Sequence, residues 1–170
     1  MPLLALVASA LACLASLVLG LGPKLLSALP SFMPSLLSVA GRAAVVSLEA
    51  GADTSTPPVL HLEVTAMSAL FAVVSTLSGF LGPYIPDILL QLCHPNRTDE
   101  APANVAVEHA SAARAALAEK VPARILFPAV IGAYQSAMVK PSAAALVSAV
   151  QLLRVLSTGI RCEMRGGKFR

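Results

Sequence analysis

Cysteine, histidine and paired carboxylates are the side chains through which this chain could do chemistry. Cys93-His94, with His61 and His109 elsewhere, offers thiolate and imidazole donors to a metal. Structural zinc is held by ligands arranged as spaced pairs, and an adjacent Cys-His without a second pair does not supply them. Glu63 with Asp87, or Asp99 with Glu100, would be carboxylate pairs for acid–base work. Asp87 instead suits the first turn of a helix, where its charge meets the positive end of the helix dipole, and Asp99-Glu100 fall in a polar loop. No serine sits in a G-x-S-x-G elbow, and neither a P-loop nor a dinucleotide fingerprint occurs. The expectation is a protein that is not an enzyme, with no catalytic residues, no metal, no cofactor and no small-molecule substrate.

Charge gives the remaining candidate site. Arg114, Lys120, Arg124, Lys140 and Arg154 are spaced so that several would line one edge of stacked helices. There they would contact phosphate or an acidic partner, or only keep the edge soluble. The formal net charge of +3 comes from residues 161–170, which hold four cations and one anion. Residues 1–96 carry only Lys24 and Arg42 as fixed cations, so a basic groove is not expected there.

The elements that would position these groups follow from composition and periodicity. Hydrophobic residues make up 56% of the 170 residues and charged residues 12%, against about 45–50% and about 25% in ordinary soluble domains. A chain this apolar buries its helices on two sides or sits in a membrane. Met1 to Gly22 reads as a repeat helix packed between neighbours, with a signal or transmembrane segment as the alternative. No Lys or Arg precedes it, and the first cation is Lys24. The three cysteines, Cys13, Cys93 and Cys162, are widely separated and suit a reducing compartment. Asn96-Arg97-Thr98 fits the glycosylation acceptor pattern, which matters only in a secreted chain.

A six-residue pattern organises the rest: two large apolar residues, a proline, a variable residue and two more apolar residues. It occurs as Phe32-Met-Pro-Ser-Leu-Leu37, Tyr84-Ile-Pro-Asp-Ile-Leu89 and Leu126-Phe-Pro-Ala-Val-Ile131, at spacings of 52 and 42 residues. Such periods mark helical-hairpin repeats. Gly20, Gly22 and Pro23 are expected to end the first helix, and a partner helix is expected near Phe32 to Val39, with a weak helix from Gly41 to Leu48. The loop Gly51 to Pro58 precedes a helix at about Val59 to Phe80 with Met67, Leu70, Phe71, Val74, Leu77 and Leu81 on one face. Helices follow at Tyr84 to Leu92, Asn104 to Lys120, Ala123 to Met138 and Ser142 to Leu156. The predicted fold class is all-α, a HEAT/armadillo-like solenoid of about three hairpins plus an unpaired helix. The hairpins fall at 1–49, 57–93 and 103–139, with a partial unit at 141–157 and a disordered basic tail at 158–170.

Phe80-Leu-Gly-Pro-Tyr-Ile-Pro-Asp-Ile-Leu89 and Val121-Pro-Ala-Arg-Ile-Leu-Phe-Pro-Ala-Val-Ile-Gly-Ala-Tyr134 resemble the HEAT repeat-containing protein 1 family, known in fungi as U3 small nucleolar RNA-associated protein 10. Leu25 to Leu37 resembles the preceding repeat, and the likeness spans Leu3 to about Leu156. The sequence after Thr158 departs from the family's expected continuation. The resemblance implies a piece near the conserved C-terminal domain of a very long chain. It also implies a nucleolar, non-catalytic scaffold of the small-subunit processome, the U3 snoRNP, that supports rRNA transcription and pre-18S rRNA processing. The partners it implies are other processome proteins, with pre-rRNA and the U3 snoRNP reached through the complex. A membrane is not expected among them.

Overall fold

Glycine and proline decide where the first helix stops. In a computed structural model, which describes residues 2–50, 57–94, 97, 105–139 and 143–165, α1 (Pro2–Leu21) ends immediately before Gly22. Gly22 has φ of 52°, a left-handed conformation that costs a residue with a side chain about 1–2 kcal/mol. Pro23 then opens a 3-10 segment, Gly22–Ala28, that delivers the chain into α2 (Leu29–Ala50).

The short partner helix expected near Phe32 to Val39 and the separate weak helix from Gly41 are replaced by one helix of 22 residues. The reason is a continuous apolar stripe: Met33, Leu36, Leu37, Ala40, Ala43 and Ala44 are all buried. The segment 51–56 lies outside the described residues, and α3 (Pro57–Leu77) begins two residues before the expected Val59. Two 3-10 turns, Ser78–Phe80 and Gly82–Tyr84, lead into α4 (Ile85–Leu92). Next come α5 (Val105–Lys120), α6 (Ala123–Met138) and α7 (Ala143–Arg165).

These helices form two layers. In one, α1 packs on α3, α3 on α5 and α5 on α7; the other contains α2, α4 and α6 in the same order. Small residues let the first layer close, since Ala8, Ala15, Ala66, Ala69, Ala106, Ala110 and Ala113 are buried at its contacts. Between the layers Met33, Met67, Leu70, Ile85, Ile88, Leu89 and Leu117 are fully enclosed, each side chain contributing about 1.5–3 kcal/mol relative to exposure. The fold is an all-α helical solenoid of three hairpins, with α7 opening a fourth, and no strand occurs among the described residues.

Burial locates the repeat more closely than the hexad does. Met33, Leu36, Leu37 and Ala40 of α2 correspond to Ile85, Ile88, Leu89 and Leu92 of α4, all buried, at an offset of 52. In α6 the equivalent buried set is Leu126, Ala129, Val130 and Ala133, which is offset by 41 and not by 42. Pro128 therefore matches Ser35 and Asp87, and Phe127, not Pro128, takes the place of Pro34 and Pro86. Both places are open to solvent, so a proline fits either without disturbing the core.

The predicted disordered tail at 158–170 is corrected in its first part. Helix α7 runs on to Arg165, and only 166–170 lie outside the described residues. Gly159 is not a breaker: with Leu152 and Val155 it continues the buried stripe. A Cβ there would stand 3.1 Å from Leu126 Cδ2 and 3.4 Å from the Ala118 carbonyl oxygen. Absence of a side chain is what lets α7 close on α5 and α6.

Candidate functional site: a buried arginine seam and a basic cavity

The apolar face of α3 carries one acid. Glu63 lies four residues before Met67 and seven before Leu70, so helical spacing places it on the core stripe, where it is 4% exposed. A carboxylate in that position needs a cation. Arg97 supplies it: its Nε donates to Glu63 Oε1 at 3.1 Å, and the arginine is wholly buried. The same guanidinium donates through Nη1 to the Gln91 carbonyl at 2.9 Å and through Nη2 to the Ala40 carbonyl at 2.8 Å. Burial pulls the Arg97 pKa below its ordinary value, and the Glu63 carboxylate opposes that pull. One side chain thus ties α2, α3 and the C-terminal end of α4, whose last carbonyls have no partner within their own helix.

Arg114 of α5 extends the seam. Its Nη1 donates to the Leu92 carbonyl at 2.7 Å and to the Arg97 carbonyl at 2.8 Å. This corrects its expected place on an exposed edge. Arg114 follows Ala110 by four residues and precedes Leu117 by three, so it sits on the buried stripe of α5 and is 6% exposed.

The other predicted edge residues separate. Lys120 is exposed at the end of α5, where Nζ donates to the Ser75 carbonyl of α3. Arg124 is exposed at the start of α6, and Lys140 lies outside the described residues. Arg154 is the one that meets Arg114: both line a cavity of about 130 Å³ between α5 and α7, with Ser111, Gln151 and Thr158 as its other polar lining. Gln151 is 2% exposed, and its Oε1 is sealed from solvent without a hydrogen-bond partner. Thr158 Oγ1 donates to the Arg154 carbonyl within α7.

The candidate metal donors are dispersed. His109 stacks on Phe71 across α3 and α5 with ring centroids 6.1 Å apart. His94 and Cys93 end α4; burial raises the Cys93 thiol to about 12, with Arg114 opposing, so it stays protonated at neutral pH. Burial, with Arg97 nearby, lowers His94 to about 4. Among the described residues no three of His, Cys, Asp and Glu converge. Asp87 is exposed in the first turn of α4, as its reading as a dipole partner requires.

Arg97 and Gln151 are the residues that sequence reasoning missed. Glu63 was the available signal, an acid extending the Met67, Leu70, Val74 and Leu77 face by one turn and so requiring a buried cation. Nothing in the polar loop singled out Arg97 as that cation.

No protein-family model matches the chain. It is 31% identical over 134 residues, 78% of its length, to HEAT repeat-containing protein 1 homolog of Dictyostelium discoideum. It is also 31% identical over 137 residues, 80% of its length, to an uncharacterized protein of Arabidopsis thaliana. The chain spans 6% of the length of each of these relatives. No solved structure matches.

Proposed function

From the chain's membership of the HEAT repeat-containing protein 1 family, we propose that it is a non-catalytic scaffold segment of the small-subunit processome. In this reading it resides in the nucleolus and supports rRNA transcription and pre-18S rRNA processing within the U3 snoRNP. The observation that carries the proposal is the likeness over 78% of the chain to a protein named for HEAT repeats, together with the family resemblance of the segments around Pro86 and Pro128. Its mechanism is geometric. Each hairpin buries a face on its neighbour, so the stack holds an extended surface in fixed curvature for other processome proteins. No small-molecule turnover is part of it.

Tagging the full-length protein that contains this segment, and depleting it, tests the reading. Nucleolar signal and accumulation of unprocessed 18S precursor are expected; exclusion from the nucleolus, with normal precursor levels, overturns it.

A second reading has its own observation. Leu3–Val46 and Val59–Phe80 are each long and apolar enough to cross a bilayer by length and composition, and the first is mostly unburied. A membrane-anchored or secreted protein would use that first stretch. Carbonate extraction separates the two, since helices packed on their own chain release into the soluble fraction and an inserted segment stays with the lipid.

A further inference from the structure

Helices of the second layer meet flank to flank, and one contact fixes which flank is which. A Cβ on Gly41 of α2 would stand 3.4 Å from Gln91 Nε2 of α4, so Gly41 lies on the leading flank of α2 and Gln91 on the trailing flank of α4. Each residue turns the helix by about 100°, which puts Pro86, Leu90 and Cys93 on the opposite, leading flank of α4, where α6 packs. Cys93 is buried there, and Pro86 and Leu90 are half-buried. The offset of 41 that relates α4 to α6 hands those three places to Phe127, Ile131 and Tyr134. No helix follows α6 in its layer among the described residues, and Ile131 is 50% exposed, with Phe127 and Tyr134 at 39% each. The first layer ends alike. Gln151 and Val155 line the cavity that α7 shares with α5; Leu153, two residues from each, points away from α5 and is 55% exposed.

The other end of the stack carries the complementary flank. Counting back by 52, Phe32 and Val39 of α2 hold the trailing places of Tyr84 and Gln91, and Val46 lies about two turns beyond Val39 on the same side. Phe32 and Val39 are half-buried and Val46 is exposed, because α1 packs on α3 and leaves this flank of α2 without a neighbouring helix in its own layer. Beside it on α1, Leu6 and Leu17 face away from the stripe Ala8, Leu11, Ala15 and Val18 that is buried against α3. An apolar leading flank at one end and an apolar trailing flank at the other are the two halves of the contact that α2 makes with α4, and α4 with α6. We propose that copies of this chain stack head to tail, the α1–α2 end of one copy seated on the α6–α7 end of the next, with Tyr134 meeting Val39 as Gly41 meets Gln91. The two surfaces differ, so the contact is heterologous and leaves one end of each kind open for a further copy. The proposal rests on the repeat geometry and not on the nucleolar role, and either can fail without the other.

Two variants of the whole chain, each closing one end, test it by sedimentation under reducing conditions, which keep the exposed Cys13 from forming disulfides. Leu6→Lys with Val46→Lys closes the α1–α2 end, and Ile131→Lys with Leu153→Lys closes the α6–α7 end. All four positions are exposed, so the far-UV spectra should match that of the unaltered chain. The unaltered chain is expected to grow past the dimer as concentration rises, and each variant alone should stay monomeric. An equimolar mixture should form a dimer with one copy of each and stop at twice the monomer mass, because one compatible pair of ends remains and the closed ends repel. Self-association of either variant alone overturns head-to-tail stacking, and in the α6–α7 variant it assigns the contact to α1 against α1. A mixture that stays monomeric overturns it too. A monomeric unaltered chain overturns the second copy as occupant and leaves both flanks to helices of another protein or of a longer chain.

Discussion

Arg97 has no solvent to fall back on. Its guanidinium balances Glu63 and at the same time satisfies carbonyls of α2 and α4, so the two halves of the ion pair are not equivalent. Glu63→Ala leaves a buried cation without its counterion and is expected to cost about 3–5 kcal/mol, read as a fall in the urea midpoint at constant slope. Replacing both, Glu63→Leu with Arg97→Met, removes the charges but leaves the Ala40 and Gln91 carbonyls unpaired, so recovery should be partial. Full recovery would show that Arg97 acts only as a counterion. His94 gives a pH test. Its folded pKa of about 4 lies below the ordinary histidine value of 6.5, because burial and Arg97 disfavour its cation. The unfolded chain therefore binds the proton first as pH falls. Stability is fully present above pH 6.5, declines between 6.5 and about 4, and levels below that. Because His94 is partly exposed, the loss should be about 1–2 kcal/mol after allowance for solvent screening. His94→Gln should flatten unfolding midpoints across that window, and an unaltered pH profile would rule out His94 as the origin.

At the level of the helices, the three prolines stand in different energetic positions. Pro86 is the second residue of α4, where the missing N–H has no carbonyl to bond. Pro34 and Pro128 each stand five residues after the first residue of their helix, in α2 and α6, and forfeit an internal hydrogen bond to the carbonyl four residues earlier. Pro34→Ala and Pro128→Ala are expected to stabilise by about 1–3 kcal/mol. Pro86→Ala should instead lose about 0.4–1 kcal/mol through the unfolded chain; equal responses in thermal unfolding at all three sites would contradict this. Most helices and most boundaries were legible because glycine, proline and three-to-four-residue apolar steps act locally. The join of α2 across Gly41 and the extension of α7 through Gly159 were not. In both places a glycine that reads as a stop lies on a packed helix, and only the neighbouring element reveals it. Arg114 was legible in principle from the alanines around it, whereas its meeting with Arg154 depends on how α7 docks on α5. Gly159→Leu should wedge α7 away and cost about 1–3 kcal/mol, with loss of far-UV helical signal on heating at lower temperature than the unaltered chain.

Across the whole stack, the two ends of the first layer differ in what they leave open. Leu3 and Leu6 of α1 are 69% and 67% exposed, and Leu17 and Leu19 are 50% and 62% exposed. The polar groups beside them do little to hydrate that side, because the Ser9 and Ser16 hydroxyls donate to the Ala5 and Ala12 carbonyls of their own helix. Leu6 and Leu17 are eleven residues apart, about three helical turns, so they lie on nearly the same line along α1. A stripe of this kind is a contiguous apolar patch, and solenoids stay soluble when their terminal units present a polar outer face. The isolated chain is therefore expected to associate through α1, giving a scattering mass that rises with concentration in the micromolar range. Leu6→Lys with Leu17→Glu interrupts the stripe while leaving the buried residues Ala8, Leu11, Ala15 and Val18 in place. That variant should run as a monomer with an unaltered far-UV spectrum. Association that persists in the variant would place the sticky surface elsewhere, on α7 or α6, where Leu153 and Ile131 are also exposed. A monodisperse unaltered chain would show that the α1 leucines do not drive assembly at all.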